Sequence, residues 1–194
     1  IDAKALEQLM EKIDRLGNGD VLVLAGSIPY TMPDDMYQRI LERIQGRGVL
    51  TVVDATRDLL VKVLPYHPFL VKPNNHELGE IFGVKLSTRE EVVPYGKKLQ
   101  EMGAQNVLIS MAGEGAVLIA ADGQSVEAPA PKGTLVNGVG AGDSMVAGFL
   151  TGWMEKKDYV YAFHMGIAAG SASAFSENLA TREEVLQVLQ QVEQ

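Results

Sequence analysis

The segment of residues 139–145 has the residue types of a phosphoryl-transfer site. Gly140, Ala141 and Gly142 precede Asp143 and a run of residues that predicts a helix. Glycines let the backbone approach a ligand closely, and the free N–H groups at a helix N-terminus attract anions. A carboxylate would repel a phosphate that is merely bound, but it can take a proton from an attacking alcohol. We therefore predict Asp143 as a general base and the three preceding amides as an anion hole.

The spacing of this turn is also compatible with roles that involve no catalysis. A plain strand-to-helix turn, capped by Asp143, fits the spacing about equally well. A dinucleotide-binding G-x-G-x-x-G fits worse, because counting from Gly138 or from Gly140 places Asp143 or Met145 at the third glycine. A Walker A loop is excluded, since the Gly-Lys pair of the chain is not followed by Ser or Thr.

A second polar cluster, Asn74-Asn75-His76-Glu77, follows a short apolar run and a proline. The amide oxygen of Asn74 and the carboxylate of Glu77, one helical turn apart, could hold a hydrated Mg²⁺. The alternative is a helix start in which Asn74 is the N-cap and Glu77 completes a capping pair. The spacing alone favours the alternative.

Two further loops are weaker candidates. One carries small residues that could admit the phosphates of a nucleotide, and it consists of Ser110, Met111, Ala112, Gly113, Glu114 and Gly115. The other begins with Gly26 and Ser27 and is a candidate substrate loop. Either segment could equally be an ordinary turn.

Alternating strands and helices are predicted to position these loops. Short apolar runs predict strands at 21–25, 50–53, 69–71 and 107–110, and a hairpin is predicted from strands at 116–120 and 124–128. The first run predicts a strand that is covered on both faces. Capping-box spacing predicts helix starts at 87–90 and 181–184, and a long helix rich in small residues follows Gly140. This order predicts an α/β fold with a mostly parallel sheet between two helical layers, where ligands bind at the carboxyl ends of the strands.

The composition limits the possible functions. The 194 residues carry a formal charge of −8 and no cysteine, which excludes disulfide scaffolds and thiolate chemistry and argues against nucleic-acid binding. The sequence contains neither a membrane-spanning run nor a signal-peptide pattern. We expect one domain over residues 1–194 and a cytoplasmic location.

Taken together, the motifs resemble the ribokinase-like carbohydrate kinases of the phosphofructokinase-B type. NGVGAGDSMVAGFL, KPNNHEL and SMAGEG appear in the family's order. The resemblance implies a three-layer α/β/α fold, Asp143 as catalytic base, and Mg²⁺ organised by Asn74 and Glu77. ATP would contact the segment 110–115, where Ala112 stands in place of the usual glycine, and also Asn137, Asn178 and Lys72.

The resemblance also implies a substrate. The segments are most similar to members that phosphorylate fructose 1-phosphate to fructose 1,6-bisphosphate, with tagatose-6-phosphate kinase as an alternative. The family's first strands, its lid over the sugar and most sugar-phosphate contacts have no counterpart in these residues. We therefore expect an incomplete fold that is inactive or nearly so by itself, with any homodimer formed through the absent lid. A non-catalytic nucleotide-binding fragment is the alternative from another class.

Overall fold

The computed structural model describes residues 1–193, whose contacts group into two compact units. The first unit comprises Ile1–Leu86 and Pro94–Val107, and the second comprises Ser87–Val93 and the residues from Leu108 onward. The single domain over residues 1–194 stays a prediction.

The first unit alternates helices and strands as predicted. Its elements are α1 (Ala3–Asp14), β1 (Val21–Ala25), α2 (Met36–Ile44), β2 (Leu50–Asp54), α3 (Arg57–Val63), β3 (Leu70–Val71), α4 (Asn75–Phe82), most of α5 (Arg89–Glu101) and the start of β4 (Asn106–Ser110). The α1 helix starts at a side-chain cap, because the N–H of Ala5 donates to the Asp2 carboxylate over 2.7 Å. Apolar residues of α2 and of β2 and β3 are buried and form the core.

The strands β1, β2, β3 and β4 pair in parallel, so the predicted parallel sheet is confirmed. In the register, Val21 of β1 lies opposite Leu50 of β2, and Leu70 of β3 lies opposite Asn106 of β4. The prediction that β1 is covered on both faces is wrong. Among residues 1–193 it is the end strand of the sheet and pairs with β2. Val23, whose side chain lies on one face of this strand, is 42% exposed.

The second unit contains the rest of β4, the antiparallel hairpin of β5 (Ala116–Ile119) and β6 (Ser125–Ala128), and three helices. The helices are α6 (Ala141–Lys156), α7 (Tyr159–Phe175) and α8 (Arg182–Val192). The capping box predicted for α8 is confirmed, since Thr181 and Glu184 bond to each other's backbone N–H groups. Among residues 1–193, none of the helices combines the length and the apolar character needed to cross a bilayer.

The helix α5 starts one residue later than predicted. The spacing predicts a capping pair of Ser87 with Glu90, whereas the N–H of Glu91 donates to Thr88 Oγ1 over 3.3 Å. The carboxylate of Glu91 in turn accepts from the backbone N–H of Thr88 and of Ser87. These four polar residues allow either pair at the same spacing, so the pattern does not decide between them.

The helices α6 and α7 pack with their backbones unusually close together. Glycines make this possible: a Cβ at Gly166 would lie 3.0 Å from the carbonyl oxygen of Met145, and a Cβ at Gly170 would lie 3.0 Å from that of Ala141. The small residues of the sequence are therefore the contact surface between these two helices. Ala141 is the first residue of α6, so the close contact between Gly170 and Ala141 also fixes the position of the N-terminus of that helix.

Candidate active site

The predicted catalytic turn lies at the start of α6. Gly140 is the N-cap with φ +80°, and Asp143 is the third residue of the helix with its side chain exposed. The N–H of Ser144 donates to the Gly140 carbonyl over 2.9 Å, and that of Ala141 donates to Gly138 over 3.3 Å. The first N–H groups of a helix have no carbonyl one turn earlier to bond, so the amide of Gly142 points towards the helix entrance. An anion bound there would lie close to the Asp143 carboxylate.

The loop before α6 is held by the end of α7. The backbone N–H groups of Val136 and Asn137 both donate to the carbonyl of Ala174, over 2.9 and 3.1 Å. The side chain of Asn137 donates to the Glu177 carbonyl over 3.1 Å and accepts from the N–H of Val139 over 3.0 Å. Asn137, predicted to contact the nucleotide, thus shapes the turn that leads to Gly140.

A second residue predicted to contact the nucleotide lies in the turn after α7. Asn178 is exposed there, and its neighbour Leu179 covers the N-cap glycine: a Cβ at Gly140 would lie 2.7 Å from Leu179 Cδ2. Leu179 is itself 64% exposed. The second unit thus brings Asn137, Asn178 and Asp143 around one glycine turn.

The segment 110–115 forms a tight loop at the end of β4. The N–H of Met111 donates to the Gly115 carbonyl over 2.9 Å, and a 3₁₀ turn occupies Ala112–Glu114. Ala112 has φ +48° and Gly115 has φ +92°, whereas Gly113 is outside the left-handed region. The loop therefore requires the left-handed conformation at Ala112, the position where the family usually has glycine.

This loop also has a support that the sequence analysis missed. Arg89, the first residue of α5, donates from Nη1 to the Glu114 carbonyl over 2.8 Å. Its Nε lies 3.6 Å from the Glu127 carboxylate on β6. Because its guanidinium contacts both the loop and β6, Arg89 stabilises the conformation of the loop. No signal in the sequence separates this arginine from any other at a helix start.

Replacing Ala112 by glycine should stabilise the protein, because it removes a left-handed alanine. The strain of about 1–2 kcal/mol is partly offset by about 0.5–1 kcal/mol of extra chain entropy in the unfolded glycine variant. The expected net gain is about 0.5–1 kcal/mol, which corresponds to roughly 1–4 °C in Tm.

The matched control for this prediction is Gly113→Ala, because a Cβ there meets nothing within 4 Å and needs no left-handed backbone. Thermal unfolding followed by circular dichroism measures both variants. A lower Tm for Ala112→Gly, with Gly113→Ala unchanged, would contradict the prediction.

In the first unit, the predicted substrate loop follows β1 directly. Gly26 has φ +82°, its N–H donates to the Asp54 carbonyl over 2.9 Å, and Ser27 is exposed. The hydroxyl of Tyr37 lies within hydrogen-bonding distance of the carbonyls of Ala25 and Gly26, at 2.9 and 3.2 Å. Burial raises the pKa of Tyr37, and the charge of Asp54 raises it further, so the hydroxyl stays a donor that fixes the turn.

A cavity of about 310 Å³ adjoins this loop. Ser27 and Tyr30 line it from the loop, and Asp58 and Lys62 line it from α3. A cavity with a hydroxyl, a carboxylate and an ammonium group has the donors and acceptors that a sugar phosphate requires.

Lys72, predicted to contact the nucleotide, is buried in an ion pair. Its ammonium group lies 3.1 Å from the Asp54 carboxylate, and the two side chains are 8% and 20% exposed. Asp54 ends β2 and Lys72 follows β3, so parallel pairing brings them to the same edge of the sheet. Asp54 is a residue that the sequence analysis missed, although its position directly after a buried strand was a usable signal.

The Asn74–Glu77 pair forms the capping box of α4. Asn74 Oδ1 accepts from the N–H of Glu77, and Glu77 Oε2 accepts from the N–H of Asn74, both over 2.8 Å. The helix-start alternative is therefore confirmed. A role in binding a metal stays a prediction, since one carboxylate oxygen of Glu77 takes no part in the box. Within residues 1–193, no three acidic or histidine side chains gather closely enough to bind a metal by themselves.

A glycine turn with an exposed carboxylate, at the start of a helix in an α/β chain, is compatible with a phosphoryl-transfer site. The model of the pfkB family of carbohydrate kinases matches residues 1–185. The chain belongs to this family, as its motifs predicted.

Relatives support the assignment over nearly the whole chain. The chain is 47% identical to the 1-phosphofructokinase of Bacillus subtilis, in an alignment that covers 99% of this chain and 63% of that protein. It is 34% identical to the D-tagatose-1-phosphate kinase of Bacillus licheniformis, with 96% and 62% covered. The fold matches phosphofructokinase-2 from Escherichia coli, crystallised with substrates and products, at a TM-score of 0.92 and 24% identity, covering 100% of this chain and 64% of that one. The chain thus spans less than two thirds of the length of these relatives.

Proposed function

We propose that this chain is the nucleotide-binding and base-carrying part of an ATP-dependent kinase that converts fructose 1-phosphate to fructose 1,6-bisphosphate. The observation that carries the proposal is the exposed Asp143 carboxylate beside the free amides at the start of α6. A protein that only bound phosphate would gain nothing from a carboxylate there. The similarity of this chain to a 1-phosphofructokinase supports the same activity.

In this proposal Asp143 accepts the proton of the acceptor hydroxyl as that oxygen attacks the terminal phosphorus of ATP. The bond between this phosphorus and the oxygen that bridges to the β-phosphate breaks, and ADP leaves with that oxygen. Of the three predicted amides, that of Ala141 donates to the Gly138 carbonyl, so we assign the oxygens of the phosphoryl group in transfer to the amides of Gly140 and Gly142. The helix dipole adds to their effect. Little covalent chemistry remains for the protein, because positioning and electrostatics supply most of the rate in phosphoryl transfer. The loop 110–115, with Lys72 and Asn178, is assigned to the nucleotide.

The residues of the first unit fit a hydrated Mg²⁺ held through Glu77. Magnesium keeps several of its waters and needs only one or two carboxylates from the protein, and the box leaves one oxygen of Glu77 outside its hydrogen bonds. Asn74 Oδ1 is committed to the helix cap, so we assign it to holding Glu77 in place. When bound, the ion would neutralise charge on the phosphates of ATP.

Replacing Glu77 by glutamine should raise the Mg²⁺ concentration needed for half-maximal activity, by about tenfold. Glutamine also completes a capping box, so Tm should change little. A Mg²⁺ titration of kinase activity, together with thermal unfolding, separates the two roles.

The matched control for this substitution is Glu184→Gln, because Glu184 completes the equivalent capping box of α8. The control should leave the Mg²⁺ titration unchanged. An unaltered Mg²⁺ requirement in Glu77→Gln would remove this residue from the metal site.

The substrate is tested with the full gene product and a panel of acceptors. We expect kcat/KM to be highest for fructose 1-phosphate, ahead of D-tagatose 1-phosphate and tagatose 6-phosphate. Preference for a tagatose phosphate would support the alternative kinase. Absence of transfer to any sugar phosphate by a folded, ATP-binding gene product would support the non-catalytic alternative.

Residues 1–194 alone should bind ATP with Mg²⁺ but transfer little or no phosphate, since we assign most of the acceptor site to the part of the relatives' length that these residues do not span. Saturating ATP at about 100 times its Kd would stabilise the chain by about 2.7 kcal/mol, which a thermal-shift measurement detects. NAD serves as the control ligand and should produce no shift.

We also propose a cytoplasmic location, where ATP is available, and a homodimer formed through the lid. Size-exclusion chromatography of the gene product tests the oligomeric state.

A further inference from the structure

The closest approaches between α6 and α7 are made by small residues, with the buried side chains of Met145, Phe149 and Met165 packed beside them. These approaches involve glycines: a Cβ at Gly148 would lie 2.6 Å from the Cβ of Ala169, and one at Gly152 would lie 2.8 Å from the Cα of Ala162. Smooth surfaces of small residues allow close packing but specify the axial register weakly, and a single buried polar contact can specify it.

One polar contact of this kind lies at the catalytic end of the interface. Ser173 on α7 is 3% exposed, and its hydroxyl donates to the hydroxyl of Ser144 on α6 over 2.9 Å. The same oxygen accepts from the backbone N–H of Ala180 over 3.1 Å. One buried hydroxyl thus joins the first turn of α6, the helix α7 and the turn that carries Asn178.

The atoms that Ser173 holds are next to those that the proposed chemistry needs. Ser144 directly follows Asp143, and its own N–H donates to the carbonyl of the N-cap Gly140. A shift of α6 along α7 would therefore move the carboxylate and the anion-hole amides together. The bond from Ala180 ties the position of Asn178 to the same oxygen.

We propose that Ser173 is a positioning residue that fixes the register of α6 against α7, and with it the placement of Asp143. This inference rests on the proposed kinase function of the site. Ser173 touches neither substrate nor nucleotide in this assignment, and it acts only through Ser144 and Ala180. Misplacement of a reacting group by about 1 Å costs up to about 100-fold in rate, so a small register shift would be visible in kcat.

The test compares Ser173→Ala with Ser171→Ala in the full gene product. Ser171 lies on the same helix two residues earlier and points away from this contact. We expect Ser173→Ala to lower kcat by about 10- to 100-fold and to change KM for ATP by less than threefold, while Ser171→Ala retains wild-type kcat. Circular dichroism and thermal unfolding verify that each variant is folded.

A double-variant comparison distinguishes positioning from general destabilisation. If Ser173 acts by placing Asp143, then Ser173→Ala should lower kcat by less than about twofold in an Asp143→Asn background, because coupled effects are not additive. Equal losses of kcat in both backgrounds would overturn the proposal, as would wild-type kcat in Ser173→Ala.

If Ser173→Ala fails to fold, Ser144→Ala removes the same hydrogen bond at a less buried position and is judged by the same criteria. An inactive wild-type gene product would instead contradict the proposed function itself.

Discussion

Replacement of Asp143 by asparagine should lower kcat by about 10²- to 10⁴-fold, the usual contribution of a general base. Asparagine has nearly the same shape but cannot accept the proton of the attacking hydroxyl. The side chain is exposed at the third position of α6 and bears no core packing, so neither Tm nor ATP affinity should change appreciably. Steady-state kinetics with saturating substrates, together with an ATP thermal shift, measure these quantities.

The control for this substitution is Asp122→Asn, the same chemical change at an exposed aspartate in the turn between β5 and β6. It should retain full kcat. A loss of less than about threefold in Asp143→Asn, well below the range for a general base, would contradict the role of this carboxylate. In that case the turn would be a plain helix start, the alternative that the spacing allowed.

The positions of the candidate loops could be predicted because they follow from the periodicity of the chain. Buried strands appear as short apolar runs, and parallel pairing places the residues after each run at one edge of the sheet. The loops after β1, β3 and β4 are where the sequence placed them. The capping boxes of α4 and α8 were predictable for a related reason, since they depend only on residues three apart. At α5 two pairs share that spacing, and the predicted one is not the pair that forms.

Features that depend on contacts between distant residues could not be predicted in this way. The pairing of Lys72 with Asp54 joins residues at the ends of different strands, so the buried ion pair of this predicted nucleotide contact could not be foreseen. The support of Glu114 by Arg89 likewise spans separate elements. The exposure of Val23 depends on whether another element covers β1, which its own apolar run does not encode.

The spacing of Asn74 and Glu77 agrees with two predictions, a Mg²⁺ site and a helix capping box. The spacing that would hold Mg²⁺ is also the spacing of a capping box, and the hydrogen bonds establish the box. The two roles are compatible, because the cap fixes the rotamer of Glu77 and leaves its second oxygen available. The sequence pattern therefore located the capping pair, whereas the binding of Mg²⁺ by Glu77 stays a prediction.

A large loss of stability is expected for Gly148→Ala, at the contact of α6 with α7. The added Cβ would lie 2.6 Å from the Cβ of Ala169 and even closer to the carbonyl oxygen of Met165. Backbone on α7 cannot move aside without separating the two helices. Overpacking of a tight core costs about 1–3 kcal/mol, and the better helix propensity of alanine returns about 1 kcal/mol. Because a backbone oxygen is obstructed, we expect the upper part of this range, a net loss of about 2 kcal/mol.

The corresponding fall in Tm is about 4–8 °C for a chain of this size, measured by thermal unfolding. The matched control is Gly138→Ala, where an added Cβ meets nothing within 4 Å and Tm should stay within about 1 °C. An unchanged Tm in Gly148→Ala would mean that α6 and α7 can separate without cost. The start of α6 would then not be held by α7, and the placement of Asp143 would need another cause. The stability of this helix pair and the geometry of the proposed active site are thus tested by the same substitution.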